Sequence, residues 1–153
     1  MLAGQGPNAK KYMKLGKKLI NKPIIKFFDK PDLLKLFSMT DLYIHASDAE
    51  IEGISCIEAV ASGIVPVIAD SPKAATPQFA LDERSLFEAG NSTDLACKID
   101  YWIENSDERK KMEFEYAKSV DKYSIDKSME QIEGMFDDAI REYKHEAIIQ
   151  AVF

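Results

Sequence analysis

Glu50 and Glu58 enclose seven residues, and Gly53 stands between them. The residues before them read as a buried strand ending at His45, followed by the polar loop Ser47–Glu52. A helix then begins at Gly53/Ile54. The first N–H groups of a helix have no partner inside it, and the helix dipole is positive at that end. Such an end suits a diphosphate, and Gly53 lets the backbone come close to a ligand. Glu58 lies about one turn inside the helix. Helical side chains lean toward the N-terminus, so Glu58 can face the same cleft as Glu50. Two carboxylates beside an anion site are poor phosphate ligands. They suit sugar hydroxyls, one taking the transferred sugar and one a ribose diol, through charge-assisted hydrogen bonds. Acids also favour first helical turns for electrostatic reasons alone. The spacing by itself therefore favours solvated carboxylates.

Other residues bear on the same chemistry. His45 either lines the cleft or simply ends its strand. Glu52 could pair with Glu50 on a metal, but two acids without further ligands make a weak site. Two cysteines and two histidines with no metal spacing argue against zinc. Ser47 and Ser55 have no His/Asp partners of triad type. Gly4 and Gly6, in the turn Gly4-Gln5-Gly6-Pro7-Asn8, suit a phosphate or a plain turn. No P-loop pattern occurs.

The elements that must position these residues alternate between strand and helix. Met1–Ala3 reads as a strand end, and Ala9–Ile20 as a helix with Tyr12, Leu15 and Leu19 on one face. Ile24–Phe28 is β-rich, and Pro31-Asp32 opens a helix through Ser38. Leu42–His45 is a strand. The helix from Gly53/Ile54 to Ser62 is stopped by Gly63, with Ile57 and Val60 toward the sheet and the small Ala61, Ser62 and Gly63 suited to close packing. Val65–Ala69 and Leu86–Glu88 are strands. Asn91-Ser92 caps Thr93–Glu104, Ser106 caps Asp107–Tyr123, and a last helix runs from Ile125 to about Lys144. Tyr101 and Trp102 read as core. The apolar tail Ala147–Phe153 extends the last helix or docks elsewhere. This alternation implies parallel βαβ units and a doubly wound α/β sheet. Ligands of such sheets bind at strand carboxyl ends beside helix N-termini. That makes Gly4–Asn8, Phe28–Asp32 and His45–Gly53 the candidate loops.

The 153 residues suit one domain with one core. No apolar run reaches the roughly 18–20 residues needed to span a bilayer, and the start lacks a signal peptide's basic and apolar regions. Cys56 and Cys97 read as buried thiols of a reducing cytosol. The net charge of −6 is unevenly spread: residues 1–35 carry nine lysines against two aspartates, a balance of +7, which leaves −13 for the rest. The basic front could meet an anionic membrane at about 1 kcal/mol per lysine, although Lys10, Lys11, Lys14, Lys17 and Lys18 read first as a solvated face. The acidic remainder argues against a general nucleic-acid binder.

Glu50–Glu58 is similar to the Glu-x7-Glu motif of the retaining GT-B glycosyltransferases of the large family 4, or group 1. Other pieces match in order. Gly4-Gln5-Gly6-Pro7 resembles the family's G-x-G-P turn, and Met39-Thr40-Asp41-Leu42-Tyr43 the lead into the strand before the motif. Glu58-Ala-Val-Ala-Ser-Gly63-Ile-Val-Pro66-Val resembles E-A-M-A-x-G-x-P-V with one extra residue. Gly90-Asn-Ser-Thr-Asp-Leu95-Ala96 resembles a late helix start. The resemblance covers roughly residues 1–140.

It implies a Rossmann-like GT-B donor domain with extra C-terminal helices. Glu50 would take the donor sugar's hydroxyls as the catalytic-site carboxylate, and Glu58 the ribose. The backbone of Ile51, Glu52, Gly53 and Ile54 would approach sugar and diphosphate, and Phe28-Asp29-Lys30 the base. Gly4, Gly6 and His45 would complete the donor site. The reaction implied is transfer of a hexose, glucose by preference, from a UDP-sugar to a lipid or glycan acceptor, without metal or other cofactor. Cytoplasmic work follows, with a peripheral position on the inner membrane face. Glu50-Ile51-Glu52-Gly53 replaces the usual E-G-F-G. Together with the segment from Ser71 to Phe87, it resembles a bacterial branch that glucosylates sterols or diacylglycerol; capsule or lipopolysaccharide glycans are the alternative acceptors. The chain is expected to start partway into the domain, without the acceptor domain or the upstream Arg and Lys that neutralise the leaving group, and so to be inactive alone. The rival reading is a non-catalytic Rossmann-like nucleotide-binding or interaction module.

Overall fold

A computed structural model describes the backbone of residues 1–152 and the side chains of residues 1–143. The chain divides into two compact units, Met1–Thr40 and Asp41–Phe153.

The first unit is a βαβα segment. β1 (Leu2–Ala3) and β2 (Ile25–Lys26) pair in parallel, Leu2 opposite Ile25 and Ala3 opposite Lys26. They are joined through α1 (Ala9–Gly16) and followed by α2 (Lys30–Phe37). The strands are shorter than expected, and α1 stops at Gly16 rather than Ile20. The returning chain lies close against the helix end: a Cβ on Gly16 would stand 2.6 Å from Pro23 Cγ. Lys17–Leu19 continue only as turns, with Leu19 N–H donating to Gly16 O at 3.1 Å. The expected apolar face of α1 stays about half exposed at Tyr12, Leu15 and Leu19. Asp29 caps α2, its Oδ1 accepting the Asp32 N–H at 2.9 Å.

The second unit holds a three-stranded parallel sheet in the order β3 (Leu42–His45), β4 (Val65–Asp70), β5 (Leu86–Glu88). Leu42 lies opposite Val65 and His45 opposite Ile68, while Ile68 opens the pairing with Leu86. Residues Val65–Ala69 are all buried, as expected of a parallel strand covered on both faces. Pro66 is tolerated in this central strand because it precedes the first β4–β5 pair, so no ladder bond is lost on that side.

Helices α3 (Ile54–Ala61), α4 (Ser92–Glu104) and α5 (Ser106–Ser119) pack against the sheet, and α6 (Ile125–Val152) follows a short 3₁₀ turn at Asp121–Tyr123. The core gathers Cys56, Val60, Val67, Ile68, Phe79, Phe87, Trp102 and Tyr116, with Ile57 packed at its margin. Gly63 ends α3 at φ +80°, the left-handed stop that its position predicts. Asn91 caps α4 by accepting from Thr93 and Asp94 N–H at 3.1 and 3.0 Å. Mixed α/β with parallel strands is as expected.

Five details differ from expectation. Ala61 and Ser62 are exposed, and the small residue buried against the sheet is Ala59. Ser106 is inside α5 rather than its cap; Asn105 precedes it without a side-chain cap bond. α5 ends at Ser119, short of Tyr123. Cys97 is exposed, because α4 turns Trp102 rather than Cys97 into the core. The last helix runs past Lys144 to Val152. The tail Ala147–Phe153 as a docking segment lies outside the described side chains.

Two polar clusters tie the layers together. Tyr116 donates its hydroxyl to Ser85 Oγ at 2.7 Å and accepts the Leu81 N–H at 3.1 Å. Arg84 grips Asp82 with both ends of its guanidinium, reaches Glu108 on α5, and lies 5.2 Å from the Trp102 ring. The Trp102 indole N–H donates to Arg84 O at 3.2 Å. Two outcomes follow. Tyr116→Phe strands buried partners and should destabilise by about 1–3 kcal/mol in urea unfolding. Burial pushes the Cys56 thiol up to about 12, so a thiol reagent at pH 8 should titrate one cysteine in the native chain, Cys97, and the second only after denaturation.

Candidate functional site

β3 delivers Tyr43 and His45 to one face, because alternate residues of a strand point the same way. Their rings stack at 5.9 Å. The Tyr43 hydroxyl is hydrogen bonded to His45 Nδ1 at 3.1 Å and to Ser55 Oγ, in the first turn of α3, at 3.0 Å. The strand end and the helix start are thus joined by side chains across the loop.

The loop is held by a second segment, residues 71–76. Buried Ser71 donates to Asp48 O at 2.7 Å and contacts Asp48 Oδ1 at 3.1 Å. Glu50 forms a parallel bridge with Ala74: its N–H donates to Lys73 O at 3.3 Å, and its O accepts the Ala75 N–H at 2.9 Å. Gly53 then caps α3 at φ +68°. A Cβ there would meet Thr76 Cγ2 at 2.3 Å and Phe79 Cε2 at 3.3 Å. Only glycine satisfies both the backbone and the packing. Gly53 O accepts the Cys56 and Ile57 N–H groups at 2.8 and 3.1 Å, which starts the helix.

Glu50 Oε1 accepts the Ile51 N–H at 3.1 Å, and Oε2 lies 3.8 Å from His45 Nε2. Glu58 sits half-buried on α3. The Tyr43 hydroxyl is held above its ordinary pKa first by burial, then by the charges of Cys56, Glu50 and Glu58, against the hydrogen bond with Ser55. His45 is held below its ordinary value by burial, which outweighs the opposing pull of Glu50.

Of the residues expected to form the site, the second unit gathers His45, Glu50, Gly53 and Glu58 around this corner. Ile51, Glu52 and Ile54 beside them are exposed, Ile51 at 89%. The first unit holds the rest. Gly4 (φ +147°) and Gly6 line a cavity of about 420 Å³ with Leu2, Tyr12 and Ile25. Asp29 spends its side chain on the α2 cap, and Lys30 is the first residue of that helix. Among the described residues, no group of three or more His, Cys, Asp or Glu converges as for a metal ion.

Sequence reading missed Tyr43, Ser55, Ser71 and Thr76 as parts of this corner. The two-residue spacing of Tyr43 and His45 was an available signal. Ser71 and Thr76 had none, since only the fold brings them to Asp48 and Gly53.

A family model described as glycosyl transferases group 1 matches residues 1–120. A solved structure described as the catalytic domain of cholesterol-alpha-glucosyltransferase from Helicobacter pylori is 51% identical to this chain. It superposes with a TM-score of 0.77, the match covering 80% of this chain and 77% of that one. The likeness carries the Rossmann-like GT-B fold. No curated protein matches.

Gly53→Ala combines a left-handed φ with a clash against Thr76. The expected loss is about 2–5 kcal/mol of unfolding free energy by denaturant titration. A loss below about 1 kcal/mol would contradict the close approach.

Proposed function

The chain belongs to the glycosyl transferases group 1, and on that premise we propose that it is the donor-binding part of an enzyme moving glucose from UDP-glucose, with retention, to a lipid acceptor. One observation carries the reading: Gly53, at φ +68°, starts α3 between Glu50, held in its loop by the bridge to Ala74, and Glu58 on that helix. Two acceptors for hydroxyls therefore flank a helix N-terminus, where a diphosphate is welcome.

In this reading Glu58 takes the ribose diol and Glu50 the hydroxyls of the sugar. The backbone from Ile51 to Ile54 borders the sugar and diphosphate, and His45 backs the pocket. No metal or other cofactor takes part; the UDP-sugar is substrate. A sterol or diacylglycerol acceptor is favoured over a glycan by the 51% identity to a chain whose description names cholesterol. The reading puts the work on the cytoplasmic face of a membrane, with the lysines of the first unit toward anionic lipid and no nucleic-acid partner.

Calorimetry on the 153-residue chain tests the donor site. UDP-glucose and UDP should both bind weakly. Glu58→Ala should weaken both by about 10- to 100-fold, the worth of a hydrogen bond to a charged group. Glu50→Ala should weaken UDP-glucose and spare UDP. A folded sample that binds neither ligand, or one whose affinity survives Glu58→Ala, overturns the reading.

A further inference from the structure

The donor-site reading leaves Tyr43 and Ser55 without a role and gives His45 only a wall to form. We propose that His45 is a positioning residue for Glu50: Tyr43 occupies Nδ1, the ring proton sits on Nε2, and that N–H is aimed at Glu50 Oε2, orienting the carboxylate that receives the sugar hydroxyl. The part about sugar rests on the donor-site reading; the orientation of Glu50 does not.

The geometry is specific. His45 Nε2 is buried and has no hydrogen-bond partner among the described residues. Native structures rarely leave a buried polar atom so. Its neighbour is Glu50 Oε2 at 3.8 Å, just beyond hydrogen-bond reach. The other carboxylate oxygen is already engaged by the Ile51 N–H. Glu50 is thus held at one oxygen by its own loop, and the second faces the imidazole.

The tautomer decides what this contact does. With the proton on Nδ1, the Nε2 lone pair would face a carboxylate oxygen, which is repulsive. With the proton on Nε2, the ring offers a donor, and the carboxylate charge favours that form. Nδ1 then accepts from the Tyr43 hydroxyl, and Ser55 can donate to the Tyr43 oxygen, because hydroxyl protons rotate to suit their partners. The chain Ser55–Tyr43–His45–Glu50 runs from the first turn of α3 back into the loop before it. The charged and titratable groups bearing on it are Glu50 on His45, and Cys56, Glu50 and Glu58 on Tyr43. Burial keeps the ring neutral, so it orients Glu50 without neutralising it.

Two measurements test this. The first is NMR of ring-¹⁵N histidine in the full chain. The sequence has two histidines, His45 and His145, distinguished with a His145→Gln variant. Neutral His45 should be the Nε2–H tautomer. Tyr43→Phe should convert it to a mixture, and Glu50→Gln should lower its pKa further, since the glutamate raises it. An Nδ1–H tautomer, or indifference to both substitutions, overturns the proposal.

The second is calorimetry with UDP-glucose and UDP. His45→Phe should weaken UDP-glucose by about 3- to 10-fold, the net worth of one hydrogen bond, and leave UDP unchanged. His45→Gln, which restores a donor, should recover most of the loss. The double variant with Glu50→Gln should bind no worse than Glu50→Gln alone, because the two residues act as one unit. Equal losses for both ligands, or additive losses, count against positioning. If the wild-type chain binds neither ligand yet shows the expected tautomer and Glu50 dependence, the donor-site reading fails and the orientation of Glu50 stands. If Glu50→Gln weakens UDP-glucose and His45→Phe does not, positioning alone fails.

Discussion

At Gly53 the backbone turns left-handed, and the place of a Cβ is taken by the methyl of Thr76. Everything at the corner follows from that close approach. It lets the 71–76 segment lie against the loop, where it bridges Glu50 through Ala74 and ties Asp48 to Ser71. It also sets where α3 begins, because Gly53 O receives the first two helical N–H groups. The position of Ser55, and so of its link to Tyr43, depends on that starting point.

The corner stands on a strand that has no polar alternative. β4 is buried through five successive residues and carries β3 on one side and β5 on the other. Parallel pairing of His45 with Ile68 brings the end of β3 level with the start of the 71–76 segment. The polar groups that leave the sheet there are satisfied by loop-to-loop bonds. A sheet edge that ended in unpaired groups would be penalised far more than these bonds are worth individually.

A separate polar cluster holds the scaffold from behind. Arg84, Asp82, Glu108, Tyr101 and Trp102 connect the entry of β5 to α4 and α5, and Arg109 on α5 reaches Asp41 just before β3 at 2.8 Å. These contacts hold the N-terminal ends of both edge strands, β3 and β5. The carboxylates of the candidate site and those of the scaffold therefore have different duties. Asp82 and Glu108 are held below the ordinary carboxylate range, in each case first by hydrogen bonding to Arg84.

The sequence by itself determined the alternation of strands and helices, the left-handed stop at Gly63, the Asn91 cap, and the Glu50–Glu58 spacing with its glycine. These are local properties. Hydrophobic periodicity, turn chemistry and cap preference act within a few residues and are written in order along the chain. It also carried the family, because the ordered motifs survive in the primary structure. The tertiary structure decided what no local rule contains. Pro23 packs onto Gly16, seven residues earlier, and the exposure of Cys97 comes from which face α4 turns inward. Thr76 against Gly53 and Ser71 against Asp48 meet across more than twenty residues. The pairing of His45 Nδ1 with Tyr43, which leaves Nε2 toward Glu50, exists only once β3, the loop and α3 are packed together. Partners distant in sequence are chosen by burial and by the need to satisfy polar groups in three dimensions, and neither condition exists until the chain has folded.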